Sequence, residues 1–191
     1  RKPFLIHSHI FSNGLLVSDI EAINQNGVLA RSGWAARGAD DSLAIGRHIF
    51  RTQCSSCHTL DGYQSIRRAL PTYSDVLDVA GGDVPGVFEA ECAACHVDVG
   101  EAEMREMLPT PVEIVEDPEL IHDLNQGMIY MAVSQLQEMG EAYSAAPRGE
   151  MINTAELHSP YMPPFVGTEE ELEALVEYLA SVAKGDGVEM A

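Results

Sequence analysis

Lysine is almost missing from this chain: of 191 residues only Lys2 and Lys184 are lysine, and eleven basic residues face thirty acidic ones. The resulting formal charge of −19 excludes a nucleic-acid binder, because such a surface repels a phosphate backbone. Aromatic residues make up 6%, with Trp34 the single tryptophan. Long apolar runs are also lacking. No stretch approaches the ~20 residues needed to cross a bilayer, and no signal-peptide pattern is present. The abrupt start at "RKPF" leads us to expect an export signal or anchor upstream. No segment alternates apolar and polar residues like a half-buried strand, which predicts a mostly helical architecture with long loops. The length suits one domain with a sizeable insertion.

The charge is uneven. Residues 1–68 carry eight Lys/Arg against five Asp/Glu, a balance of +3, whereas residues 69–191 carry three against twenty-five, a balance of −22. The C-terminal part is therefore a solvated acidic surface or a guide for a basic protein partner. Acid-rich, lysine-poor surfaces also suit high salt.

Cysteine is scarce too, and all four copies fall in two repeats of one pattern, Cys54-Ser-Ser-Cys57-His58 and Cys92-Ala-Ala-Cys95-His96. Two cysteines three positions apart on a turn at a helix can place both sulfurs on one side. Thioether bonds to the two vinyl groups of a haem need that placement, and the following histidine can reach the iron. Zinc would accept two CxxC pairs, but the 34 residues between Cys57 and Cys92 exceed the usual ribbon spacing of ~15–20. A zinc site would not require a histidine after each pair. A thioredoxin-like site needs a βαβ context that the pattern lacks, and disulfides alone leave His58 and His96 unexplained. The chemistry points to two covalently bound haem c groups.

Around these motifs the chain reads as follows. Residues 1–38 form an N-terminal arm with a turn at Asn13-Gly14, and Ser18 with Glu21 suggests a capping box for a short helix ending near Asn26-Gly27. Its apolar residues, among them Ile6, Ile10, Phe11, Leu15 and Leu16, need a surface to cover, on this domain or on a neighbour. A helix starts at Asp41 and carries Ile45, Ile49 and Phe50 into Cys54. The Gly- and Pro-rich stretch Thr72–Pro118 reads as irregular. A longer helix is predicted over Pro118–Met139, with Asp117 as N-cap, one face of Ile121, Leu124, Met128, Met131 and Met139, and Gly140 as its end. Thr168 and Glu171 form a capping box for the last helix, whose face is Leu172, Leu175, Val176, Leu179 and Val182 and whose stop is Gly185.

The segments "GRHIFRTQCSSCH", "DGYQSIRR" and "YMPPFVGTEEELEALVEYLA" resemble the class I cytochromes c, especially the monohaem cytochrome c subunits of bacterial membrane respiratory complexes. The match covers about Ala39–Val79 and Pro118–Ala183. It implies an all-α class I cytochrome c fold in which the helix carrying Gly46 and Phe50 crosses the last helix near Tyr178. It also implies an exported protein whose haem is attached outside the cytoplasm, in the periplasm or an equivalent space. The arm, "RKPFLIHSHIFSNGLLVSDIEAINQNGVLA", has a slighter resemblance to the segment after the membrane anchor in cytochrome subunits that accompany quinol-linked membrane proteins of the cytochrome bd kind. The organisation expected is thus an arm (1–38), a cytochrome c domain (39–183) with an inserted second haem-binding segment (81–118), and a tail (184–191). Simpler members lack the extra residues around Gly81–Thr110 and Tyr143–Leu157, so the resemblance speaks for the first haem site and says little about the second.

For the first haem, His58 is the proximal ligand, and the resemblance places the sixth ligand at Met162, where Pro163 and Pro164 restrict the backbone. Methionine is usually core filling, but a thioether ligand would raise the reduction potential. For the second, His96 is proximal and the distal ligand is open: His122 and His158 are slightly favoured over Met104, Met107, His7 and His9. His48 is expected to face solvent. Arg67 and Arg68 follow the first motif, either pairing with haem propionates, whose carboxylates match a guanidinium fork, or simply exposed.

Three function classes follow. With both irons ligated on both sides the chain can only relay electrons, as a dihaem electron-transfer subunit between a membrane respiratory complex and a periplasmic acceptor or neighbour. If one iron is open, a dihaem peroxidase-like enzyme is the alternative, although no acid/base pair stands out beyond Glu89 and Glu91 before Cys92. If His7 or His9 ligates a neighbour's haem, the chain is a link in a haem-chain assembly.

Overall fold

The structure, a computed structural model, describes residues 5–6, 10–11, 13–30, 41–62, 65–72, 76–78, 109–146 and 162–183. Among them the chain is mostly helical, as its lack of alternating segments predicts. It forms two compact units: Arg1–His58 with Ile129–Tyr178, and Thr59–Met128 with Leu179–Ala191.

In the first unit the arm opens with two short antiparallel strands, β1 (Leu5–Ile6) and β2 (Ile10–Phe11), with Leu5 opposite Phe11 and Ile6 opposite Ile10. The Asn13-Gly14 turn forms as expected. Gly14 has φ +87° and donates its N–H to Phe11 O, a left-handed conformation that glycine adopts at no steric cost. A 3₁₀ turn, Val17–Asp19, leads into α1 (Ile20–Asn26), which ends at Gly27 with φ +84°. The Ser18/Glu21 capping box does not form: the cap position is Asp19, and the Ser18 hydroxyl donates to the Asp19 carboxylate instead. Phe11, Ile20, Ile23, Val28 and Leu29 are buried, and the Phe11 ring meets Tyr143 edge-on at 5.4 Å. The arm therefore covers part of its own unit.

Asp41 caps α2 (Ser42–Ile49) by accepting from the Leu43 N–H, and α2 then widens into a π-helical turn, Phe50–Cys54. Periodicity does not distinguish a π turn from a continuing α-helix. Its mark is the wider i to i+5 bond from the Ser55 N–H to Phe50 O, a local widening often found at functional sites.

The longest helix, here α5 (Glu119–Ala145), runs 27 residues and passes straight through Gly140, where the sequence predicts an end. Gly140 serves packing: a Cβ there would lie 3.1 Å from Pro164. Of the expected apolar face, Ile121 and Met139 are buried and Leu124 and Met128 half-buried, but Met131 is half exposed. In the second unit α3 (Ile66–Ala69) follows the first Cys-His motif. The stretch expected to be irregular holds α4 (Pro111–Glu116). Its capping box pairs Thr110 with Glu113, and proline at N1 brings the fixed φ that a helix start needs. Val76, Ile114 and Ile121 form a small core there, with Leu120 and Leu124 against it.

The last helix, α6 (Glu169–Ala183), has the expected capping box, and its predicted face of Leu172, Leu175, Val176, Leu179 and Val182 is buried. No helix among the described residues is long and apolar enough to cross a membrane.

Candidate functional site

In the first unit α2 and α6 cross with almost no space between them. A Cβ on Gly46 would lie 2.0 Å from Ala174 O and 2.6 Å from the Tyr178 Cβ, so only glycine permits the approach. One turn further on, Phe50 and Tyr178 sit ring to ring at 6.1 Å and 49°. Burial pushes the Tyr178 hydroxyl above its ordinary range, against the opposing pull of Arg47 and Arg51. The Ser42 hydroxyl donates to the Glu177 carboxylate at the start of the same crossing. This crossing fixes α2, and with it the π turn from which Cys54 leaves the helix.

Cys54 O accepts from the N–H groups of both Cys57 (3.1 Å) and His58 (2.9 Å), folding the motif into one tight turn. Cys54 is half-buried, Cys57 exposed and His58 half-buried. Burial, with a smaller contribution from Cys57, pushes the Cys54 thiol up to about 12, which disfavours a free thiolate there. No group of three or more His, Cys, Asp or Glu side chains fit to hold a metal ion occurs among the described residues.

Met162 lies in the same unit, half-buried, at the start of a loop that is tightly held downstream. Val166 exchanges two hydrogen bonds with the Gln53 side chain: Nε2 donates to Val166 O at 2.6 Å and Oε1 accepts from the Val166 N–H at 3.1 Å. The Gly167 N–H donates to Asn24 Oδ1 (3.0 Å), and Gly167 O accepts from Gln137 (3.2 Å). The Glu171 carboxylate accepts from three backbone N–H groups, those of Val28, Leu29 and Thr168, at 2.9, 2.9 and 3.1 Å. Glycine at 27 and 167 leaves room for this carboxylate, since a Cβ at either would come within 2.8 Å of it.

Gln53 and the wider role of Glu171 escape a sequence reading. The available signal for Gln53 was its place four residues after Ile49, continuing the buried row with a polar residue. Glu171 was legible only as half of a capping box, because its other partners lie more than 140 residues away.

The remaining predicted residues are spread more widely. Arg67 is exposed and pairs with Asp61 at 3.1 Å, and Arg68 is exposed. His48 is half-buried where solvent exposure was expected. His122, on α5 in the second unit, is half-buried, and its Nδ1 is buried with no hydrogen-bond partner. Three residues along the same helix, Asn125 donates to Pro71 O while its Oδ1 stays unpartnered. Cys92, Cys95, His96, His158, Met104, Met107, His7, His9, Glu89, Glu91 and Trp34 lie outside the described residues. No protein-family model, curated protein or solved structure matches the chain.

Proposed function

We propose that this chain is a dihaem c-type cytochrome, an electron-transfer subunit that relays electrons between a membrane respiratory complex and a periplasmic acceptor or neighbour. The observation that carries the reading is the α2–α6 crossing at Gly46 and Tyr178, with the CSSCH turn leaving its end and Met162 in the same unit. Together with the motif chemistry this supports a class I cytochrome c fold for the first haem site.

In this reading the thiols of Cys54, Cys57, Cys92 and Cys95 would attach the two haems as thioethers. His58 and Met162 would ligate the iron of the first haem, and His96 that of the second. His122 is the candidate distal ligand among the described residues, since an imidazole with an unfilled buried nitrogen is poised to take a partner. His158 is the other candidate. The bound haem supplies one-electron redox chemistry, and the protein supplies ligation, burial and separation. Arg67, already paired with Asp61, and the exposed Arg68 are the candidates from which one would pair with a haem propionate.

Exposed acidic side chains on α5 and α6, among them Glu138, Glu141, Glu169, Glu170 and Glu173, support a basic redox partner. Association with such a partner would weaken as salt rises. The reading is tested by haem stoichiometry in alkaline pyridine with intact mass, then by near-infrared spectra of the oxidised protein. Two attached haems with both irons six-coordinate are expected. One haem, or none, would overturn the dihaem reading, and a high-spin iron would favour the peroxidase-like alternative.

A further inference from the structure

We infer that Gln53 is a positioning residue for the Met162 ligand, linking the turn that holds the first haem to the loop that supplies its sixth ligand. This rests on the reading of Met162 as a ligand given above. Gln53 is 6% exposed and immediately precedes Cys54, so its backbone moves with the attachment turn. Its side-chain amide occupies both the N–H and the C=O of Val166, a residue 113 positions away and only four beyond Met162. The two groups pair as two peptide groups would across a sheet.

The intervening chain explains why such a link is needed. Pro163 and Pro164 have no N–H to donate, so this part of the loop cannot be held by its own amides. Their fixed φ angles make the segment stiff, so fixing Val166 restricts where Met162 can lie. Pro164 is in turn seated against Gly140. Among the described side chains that pin this loop, Gln53 alone is joined in sequence to a haem-attaching cysteine. Asn24 and Gln137 hold Gly167 from the arm and from α5. Loss of either of these loosens the loop without releasing it from the haem turn.

The test uses the mature, haem-loaded protein. Gln53→Ala, Gln53→Glu and, as a comparison, Gln137→Ala are titrated with imidazole, which competes with a weak sulfur ligand, while the red sulfur-to-iron charge-transfer band of the oxidised form is followed. Met162→Ala calibrates the assay by abolishing the band. Gln53→Ala is expected to weaken the band, lower the reduction potential and raise imidazole affinity about tenfold, equivalent to about 1.4 kcal/mol. Gln53→Glu, which keeps an acceptor for the Val166 N–H but loses the donor, falls between wild type and Gln53→Ala and serves as the readout if Gln53→Ala fails to mature. Gln137→Ala is expected to lower stability with the band and imidazole affinity near wild type. If both Gln53 variants keep wild-type band, potential and imidazole affinity while Met162→Ala abolishes the band, the positioning role is wrong and the ligand assignment stands. If Met162→Ala leaves the band intact, both the assignment and the inference built on it fall.

Discussion

In the unit made of Arg1–His58 and Ile129–Tyr178, side chains reach across more than a hundred residues of sequence to fill backbone groups: Gln53 to Val166, and Glu171 to Val28 and Leu29. Among the described residues of the unit made of Thr59–Met128 and Leu179–Ala191, Asn125 donates to Pro71 O across 54 residues, and both Asn125 Oδ1 and His122 Nδ1 are buried without partners. The first unit has a smaller lapse of this kind, at Asn13 Nδ2 in a turn. Buried polar groups are normally satisfied, and each unsatisfied one costs about 1–3 kcal/mol. The contrast therefore separates a frame specified to one arrangement from a region with spare hydrogen-bonding capacity, and a ligand-bearing His122 would belong to the second.

The hardest test of the frame is its closest contact. Gly46→Val places a side chain where Ala174 O and the Tyr178 Cβ already stand, both backbone or near-backbone atoms that cannot swing away. Forcing α2 and α6 apart should cost about 3–5 kcal/mol, at the upper end for a single substitution, read from the denaturation midpoint. A Gly46→Val protein as stable as wild type would mean that the helices do not cross there.

Glu171→Ala attacks the same frame through its polar links. It strands three backbone N–H groups, two in one distant segment and one at the start of α6, and we expect a loss of about 2–4 kcal/mol together with faster amide exchange at Val28 and Leu29. Unchanged exchange at those two amides would show that the arm is held by its apolar residues alone.

Legibility followed the range of the forces involved. The α6 capping box, the α1 end at Gly27 and the buried face of the last helix are local patterns, set within four residues or by one helical period, and each could be read directly. Gly140 could not. As a sequence feature it is a helix stop, and only the presence of Pro164 against it turns it into a packing position inside α5. The π turn and Gln53 were hidden for the same reason: their partners are chosen by tertiary contact, and the residue types look ordinary. α4 was obscured by its setting, a Gly- and Pro-rich stretch in which Thr110, Pro111 and Glu113 nevertheless make a complete helix start. In the site, the motif itself named Cys54, Cys57 and His58. What the sequence lacked was the support that holds them.

Chemistry at Cys54 sharpens the comparison in another way. In a chain whose cysteines carry no haem, this thiol stays protonated in the folded form up to about 12, whereas in the unfolded chain it ionises near its ordinary value of 9.0. Between those values the folded state binds more protons, so stability falls as pH rises, by up to about 1.4 kcal/mol per pH unit from this group. The same chain with Cys54→Ala should lack that component, and haem-attached protein should lack it as well, because a thioether sulfur has no proton to lose. Denaturation at pH 8, 9, 10 and 11 on the three samples measures the difference, and a parallel loss in all three would assign it to other groups.

The smallest predicted effect has the opposite sign and comes from the other unit. Gly127 lies in α5, exposed, with nothing within 4 Å of the Cβ it lacks. No contact or backbone angle demands glycine at that position, and glycine inside a helix is less favourable than alanine by about 0.5–1 kcal/mol. Gly127→Ala should therefore stabilise the protein by that amount, seen as a small rise in denaturation midpoint with the spectra of any attached haem unchanged. The same chemical change, a methyl in place of hydrogen on a helix, thus disrupts the frame at position 46 and strengthens the helix at position 127, because only the first hydrogen faces another helix. A loss of stability at Gly127 would show that something covers this face of α5, and it would then be the first place to look for a partner of the second unit.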